Sequence, residues 1–507
     1  MATEKDIKLI QRQTYNIKFK LEQLSNLYVV EKELQAVAKS VDVSISAESD
    51  IRRTASLVLI VDDDFVTDDF EINWLDKLIR LHIGIEDSDG EFVYYNLGTF
   101  LLDTDTAKYD ATTKELTLNL VDIMAVATQN RGNQIGTEVI IPYDSNMRNA
   151  IIAFVARFLP FKKYDVVEFP DTVPFDQEFG IGIYPYEVLN QLITLYPYYE
   201  QYYDSEGVYT VKEIPTGVGD EVALDETVLD DLIISEERSG TLGNIKNSTE
   251  IWGMELDAMY TATNCVSVTE SGKQTYILVM SSTFETIEAN STFSFVPGIT
   301  NTGTPYVKLQ GLDAEYPLYD SNGNALADGK LIADRSYVIK FVYEAVNGEM
   351  VGKWLLQGEE LIHVIVREMN AMPSDEEIAA DKKRNDCDNI KYVINPESPY
   401  ACDRNGKTIE EGEIRQVLSD GDYSYIYTTE LAYERGAYEN YCKARLNTSV
   451  TLKTLLIPWL DVNQKIQYTS PKTGEVHQYL IKEISMNPTD FTMEMKLTRF
   501  YNAYPWL

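Results

Sequence analysis

The sequence predicts a mainly β chain of several domains with an α+β segment in its middle, and three observations lead there. Tyr occurs 34 times and Phe 17 times in 507 residues, beside abundant Val, Ile and Thr, and branched and aromatic side chains fit a half-buried pleated surface. Apolar residues recur with a period of two in several stretches, the mark of strands covered on one face. The chain is also longer than one hydrophobic core serves, so about three or four domains are expected. With 44% hydrophobic and 25% charged residues, the composition is that of a folded chain, since a disordered one is poorer in aromatics and aliphatics.

A first β domain is expected at 1–125. In VDVSISAESDIRRTASLVLIV, residues 41–61, Val41, Val43 and Ile45 alternate with Asp42, Ser44 and Ser46, and a turn at 48–50 leads into the next strand. Strands at 78–85 and 92–102 are joined through Asp87-Ser88-Asp89-Gly90, where Asp-Gly supplies the positive φ of a tight hairpin. A strand pattern at 104–122 puts Leu116, Leu118 and Leu120 on one face. From Asn146 the spacing turns helical in NMRNAIIAFVARFL, with Asp144 or Ser145 as N-cap and Pro160 as the stop. A second helix at 186–195 and a strand at 208–214 make 126–224 an α+β domain.

Strand character returns at 225–260 and again at 395–507, which together read as a second, discontinuous β domain. Between them, 261–365 carries short strands broken by Gly, Asn and Pro, the pattern of an inserted small β-sandwich-like module, and 366–394 is a connector. The last segment holds the helix TELAYERGAYENYCKARLN, with Leu431, Tyr438 and Cys442 on one face. Strands at 449–457, 465–469, 479–484 and 492–500 follow.

Charge and chemistry narrow the function by exclusion. The formal net charge is -37, from 81 acidic and 44 basic residues, and a field of that sign repels phosphate backbones. Cys265, Cys387, Cys402 and Cys442 have no metal-ligand spacing and suit a reducing compartment as free thiols, although Cys387 and Cys402 stand close enough in sequence to meet across a loop. The N-terminal residues interleave charges with apolar side chains, so no signal-peptide core is expected, and the apolar stretch at 150–159 is too short to span a bilayer. His82, His363 and His477 lie far apart in sequence, with neither an H-E-x-x-H helix nor a G-x-S-x-G elbow, and read as structural histidines.

Other motif fragments fall short of their chemistry. Gly406-Lys407-Thr408 has Ala401 where a phosphate-binding loop has its first glycine, so a turn is expected. Asp320, Asn322 and Asn324 begin like a calcium loop, but Ala325 and Leu331 replace the required glycine and glutamate. The five carboxylates of 62–64 and 68–69 offer a divalent-ion site or, more simply, a solvated loop. YPYYEQYYD, residues 196–204, offers a carbohydrate-stacking platform or, more simply, a protein–protein contact or a partly buried helix-to-strand junction. No catalytic, cofactor-binding or metal residue is singled out, and no cofactor is expected.

Three segments, SISAESDIRRTASLVLIV, NIKNSTEIWG and ELAYERGAYENYCKARLNTSVTLKTLLIPWLDVNQKIQYTSPKTGEVHQYLIKEIS, resemble the tail-hub family of phages and related injection machines, similar to the central hub of contractile baseplates. In the family the turn corresponding to Pro-Trp-Leu-Asp often carries Gly-Asp before the next strand, where this chain has Leu460-Asp461-Val462-Asn463. The insert, through NTGTPYVKLQG and YPLYDSNGNALADGKLIADRSYVIKFVYE, is similar to small β modules of phage tail and fibre proteins. The resemblance implies two tube-like β-barrel domains per chain that superpose on one another, and a homotrimeric ring joining a six-fold tail tube to a three-fold tip or spike. It also implies a place in the virion tail after synthesis in the bacterial cytoplasm, with the tail tube or distal tail protein, the spike or tip protein and the tape measure protein as partners. DNA would pass through the lumen without specific binding, and the chain would be no enzyme and carry no membrane anchor. The alternatives are a peptidoglycan-degrading tip enzyme, whose catalytic domain would be expected beyond the tube-like strands in which this chain ends at Leu507, and a carbohydrate-binding adsorption protein acting through 261–365.

Overall fold

The computed structural model describes residues 3–499 except 13, 35, 62–76, 143–144, 170–171, 174–175, 195, 197, 216–220, 242–244, 322, 347–348, 397 and 445–446. The fold is multidomain and mainly β, and the chain divides into two compact units, 1–245 with 446–504, and 246–445 with 505–507. The segments 246–260 and 395–445, which the sequence groups with the second β domain, lie in the second unit.

Among its described residues, the first unit carries a thirteen-strand sheet. One half runs outward from Ala36–Ser46 through Arg53–Val61, Glu115–Asp122, Phe92–Asp110, Leu78–Glu86 and Ile17–Leu24 to Val30–Leu34. The other runs from Val476–Asn487 through Thr492–Arg499 and Asn447–Leu455 to Ile233–Thr241, with Lys465–Thr469 and Val222–Leu224 branching off. The halves meet where Ala36–Ser46 pairs antiparallel with Val476–Asn487, Val43 opposite Met486 and Ser46 opposite Glu483. Period-two patterning fixes the buried face: Val41, Val43 and Ile45 are buried while Asp42 and Ser44 face solvent, and Leu116, Leu118 and Leu120 repeat the arrangement. One apolar core serves both halves.

Turn chemistry places the hairpins. Gly90 takes φ +83 and the Asp87 carboxylate accepts the N–H groups of Asp89 and Glu91 at 2.9 and 3.2 Å. The segment 104–122 is two strands rather than one. The Asp110 side chain accepts from Thr112 and Thr113 at 2.8 and 3.3 Å, and Lys114 takes φ 57, which reverses the chain.

In the middle segment, helix Met147–Phe158 is capped by Asn146, whose side chain accepts from the Asn149 N–H at 2.9 Å; the caps expected from sequence, Asp144 and Ser145, give way to it, Asp144 lying outside the described residues. Helix Pro185–Thr194 follows. Strand Tyr199–Tyr203 then pairs with Tyr209–Glu213, which pairs in parallel with Tyr164–Val166.

The second unit holds a four-strand sheet in the order Ile390–Ile394, Leu361–Met369, Ser248–Glu255, Arg415–Leu418, against which helix Thr429–Lys443 packs. Its contact face is made of small residues, because a Cβ on Gly436 would lie 2.6 Å from Val366 Cγ2. Cys442, expected on the apolar face with Leu431, is exposed for the same reason: the buried stripe runs through Ala432, Gly436, Ala437 and Asn440. The small β module is a closed seven-strand barrel from Tyr260–Glu270 to Glu349–Glu359, sealed where Tyr260 and Thr261 pair with Phe293 and Ser294. Trp354, Phe341, Phe293, Phe295 and Tyr276 fill it.

Candidate functional site

The sharpest constellation in the first unit lies at the turn before Arg53–Val61, where Arg52 and Arg53 are both buried. Burial works against the Arg52 charge, but Glu200 and then Asp461 outweigh it and hold its pKa above the ordinary value. Its guanidinium pairs with Glu200 and lies 3.6 Å over the Tyr202 ring. Asn463 donates to the same Glu200 oxygen at 2.6 Å, and Lys212 stands 3.5 Å from the other.

Arg53, next to it, is equally buried and makes its own set of contacts. It donates to the Leu97 carbonyl and to the Asp461 carboxylate, each at 2.9 Å, while its backbone N–H donates to Asp122 at 2.8 Å. Asp122 also accepts from the Met124 N–H at 2.8 Å, capping a short helical turn. Two adjacent arginines therefore tie together the first β half, the Tyr-rich strand of the middle segment and the turn at Asp461. Arg-Arg-Thr and Pro-Trp-Leu-Asp, quoted separately in two segments of the sequence, meet here across 408 positions.

The solvent face of the joint is different in kind. A shallow groove crosses it between the halves, lined by Asp42, Ser44, Thr54, Ser56, Ser485 and Asn487. Hydroxyls and amides occupy this stretch, with Asp42 and Asp103 as its acids.

The second unit has its own buried network. Arg367 holds Asp381 at 2.7 Å and also binds Glu413 and Ser248. Burial alone would raise the Glu413 carboxyl, but Arg415 and Arg367 hold it down at about 2. These pairs brace the sheet against helix Asp375–Asn385 and leave Glu413 no free role as an acid.

His82 contacts Glu22 at 3.1 Å, and His363 contacts Glu250 at 3.0 Å and stacks on Trp252. His477 accepts from Arg499 at 3.0 Å. None of the four cysteines forms a disulfide among the described residues; burial pushes the Cys387 and Cys402 thiols up to about 11 and about 12, so neither is a ready nucleophile. Gly406 sits in a turn at φ +74 and Thr408 caps the helix Ile409–Gly412, so no phosphate loop forms. Asp320 spends its carboxylate on the backbone and side-chain amides of Asn324, a closed local turn, Asn322 lying outside the described residues. Tyr196, Tyr199, Tyr202 and Tyr203 are buried and form a helix-to-strand junction. The acidic run at 62–69 lies outside the described residues. Among the described residues no group of three His, Cys, Asp or Glu is placed to hold a metal ion, and no helix is long and apolar enough to cross a membrane. Sequence reasoning missed the roles of Glu200, inside the Tyr-rich run, of Asn463, inside the turn compared with the family's Gly-Asp, and of Asp122, which stands at no motif spacing.

Residues 397–504 match a family described as a domain of unknown function, DUF5048. No curated protein matches the chain. Among solved structures it is similar to the tail protein from Neisseria meningitidis MC58, at 8% identity and TM-score 0.45 over 97% of this chain and 100% of that one. It is similar to the prophage MuSo2 43 kDa tail protein from Shewanella oneidensis, at 11% identity and TM-score 0.41 over 95% and 98%. A third is the prophage tail protein gp18 from Listeria monocytogenes EGD-e, at 9% identity and TM-score 0.40 over 94% of each chain. Likenesses of this size leave the functional argument to the chain's own residues.

Proposed function

We propose that this chain is a structural hub subunit of a phage-type tail, three copies closing into a ring that joins the six-fold tail tube to a three-fold tip or spike. The observation that carries the reading is the continuity of the sheet. Pairing of Val43–Ser46 with Glu483–Met486 sets two β modules side by side in one chain, so three chains supply six. The first module is the tube-like domain at 1–125, and the second is built on 222–241 and 447–499. Among the described residues, Val30–Leu34 and Ile233–Thr241 end the sheet with one neighbour each. Open edges invite pairing, and edge to edge between copies they would close the ring.

The groove face at the joint suits a lumen. Asp42, Ser44, Thr54, Ser56, Ser485 and Asn487 offer a passing DNA backbone no cation to hold it. The Arg52–Arg53 node then acts as the rivet that keeps the two modules at a fixed angle under load. Partners on this reading are the tail tube or distal tail protein, the spike or tip protein and the tape measure protein, and the chain performs no catalysis. A gold-labelled antibody against the chain, imaged on intact particles, is expected at the junction of tube and tip; label along the tube or on the head would refute the placement.

A further inference from the structure

A cleft of about 710 Å³ opens in the first unit, lined by helix Glu4–Ile10, strand Tyr209–Glu213, strand Val222–Leu224 and the turn from Trp459 to Lys465. We propose that it seats an extended peptide segment of a partner protein, added as a strand along Val222–Leu224, with a carboxylate side chain at Lys212 and Gln464 and an apolar side chain against Tyr95 and Trp459.

Three observations converge on that ligand. The first is a strand edge. Val222–Leu224 pairs in parallel with Lys465 and Ile466 on one side, and among the described residues it has no strand on the other, with Ala223 exposed. Unpaired backbone groups at the wall of a cleft are what an added strand satisfies.

The second is an apolar wall. The Tyr95 and Trp459 rings lie 5.5 Å apart at 43°, both partly buried, and offer a flat contact area beside that edge.

The third is the balance of unspent polar groups, which are donors. The buried Trp459 indole N–H has no partner among the described residues, and the Gln464 side-chain oxygen accepts from the Asp461 N–H at 3.1 Å, which leaves its NH₂ as the group it can offer a ligand. Lys212 has the long 3.5 Å contact to Glu200, whose other oxygen serves Arg52 and Asn463, and the Tyr202 side chain beside it, which leaves one of its three ammonium donors for a ligand. The acids of the cleft are occupied instead: Asp6 accepts from Thr3 and from the Tyr95 hydroxyl at 2.7 Å, and Glu213 accepts from Tyr199 at 3.1 Å. A ligand that completes this site brings an acceptor, and a carboxylate between an ammonium and an amide makes the strongest such contact. The exposed Glu221 on the rim repels a second acid, so the fitting segment carries a single carboxylate.

The test uses the full chain and two labelled, end-capped six-residue β-forming peptides, each with one Trp and differing only in Asp against Asn at one position. Fluorescence anisotropy is expected to show saturable binding of the Asp peptide and about tenfold weaker binding of the Asn peptide. Lys212→Met and Gln464→Leu should each weaken the Asp peptide more than the Asn peptide, whose amide oxygen makes the weaker neutral contact, and so narrow the gap between the two. Ala223→Pro should weaken both peptides alike. Each variant is checked by thermal unfolding, and if Ala223→Pro does not fold, Lys212→Met decides alone. Equal binding of the two peptides, an Asp preference undiminished by Lys212→Met, or no saturable binding of either would overturn the proposal.

Discussion

At the scale of single residues, the joint depends on ionised groups held where water is absent. Asp122 is the most exposed to pH of these. Burial outweighs its two backbone donors and the flanking guanidiniums, and lifts its pKa from 3.8 to about 6. Because the folded value stands above the unfolded one, Asp122 contributes stability that is fully present below pH 3.8 and is lost as the pH rises through 6. The loss is on the order of 3 kcal/mol for a shift of this size. Asp122→Asn gives up one acceptor and starts less stable, but it has nothing to ionise. Urea unfolding of both proteins from pH 4 to pH 7 should therefore show the wild type's advantage shrinking by about that amount; parallel curves would show that Asp122 does not titrate in this range. None of this was legible in the sequence. Arg52 and Arg53 stand together inside one of the segments that carry the resemblance, but Asp122, Glu200, Asp461 and Asn463 are separated from them by up to 411 positions, and nothing in a linear pattern records which acid a buried guanidinium will find. The Asn146 cap was missed for a smaller reason, since three adjacent polar residues all suit an N-cap and only the backbone chooses among them.

At the scale of elements, legibility followed the range of the forces. Strands at 36–46 and 115–122 show their buried face as alternation, and the 87–90 hairpin shows its turn residues, because both effects act between neighbours in sequence. Closure of the 260–359 barrel is not visible in that way, since it needs parallel pairings such as Thr275 with Tyr306 between segments that are not consecutive strands. The C-terminal helix shows the same limit. Its length and period were clear, yet its buried face was misjudged because a stripe of Ala and Gly buries more completely than the larger residues beside it. Substitution at Gly436 tests that packing. A helix gains about 1 kcal/mol when Gly becomes Ala, which roughly offsets the crowding of one methyl group against Val366. Leu brings the same gain and overpacks by about 3 kcal/mol, so Gly436→Leu should cost about 2 kcal/mol net. Hydrogen exchange of the Leu361–Met369 strand should be little changed in Gly436→Ala and markedly faster in Gly436→Leu. Equal protection in both would mean that the helix does not rest on this strand.

At the scale of the whole molecule, the proposed ring rests on one geometric feature: two β modules share a continuous sheet that, among the described residues, has an open edge at each end. Mainly β composition and the resemblance of three segments were enough to suggest such a chain. The pairing that makes it concrete, Ile45 with Ile484, joins residues from opposite ends of the sequence. A net charge of -37 makes self-association costly at low salt, so an assembly that forms despite it must be held by specific edges. The most direct measurement is the native mass of the purified chain at physiological salt, followed by two-dimensional averages of the same sample. The account predicts a single species of three times the 57.7 kDa chain mass, seen end-on as a ring with six β modules around an open centre. A monomer at all accessible concentrations, or a closed ring of any other number of chains, would contradict it.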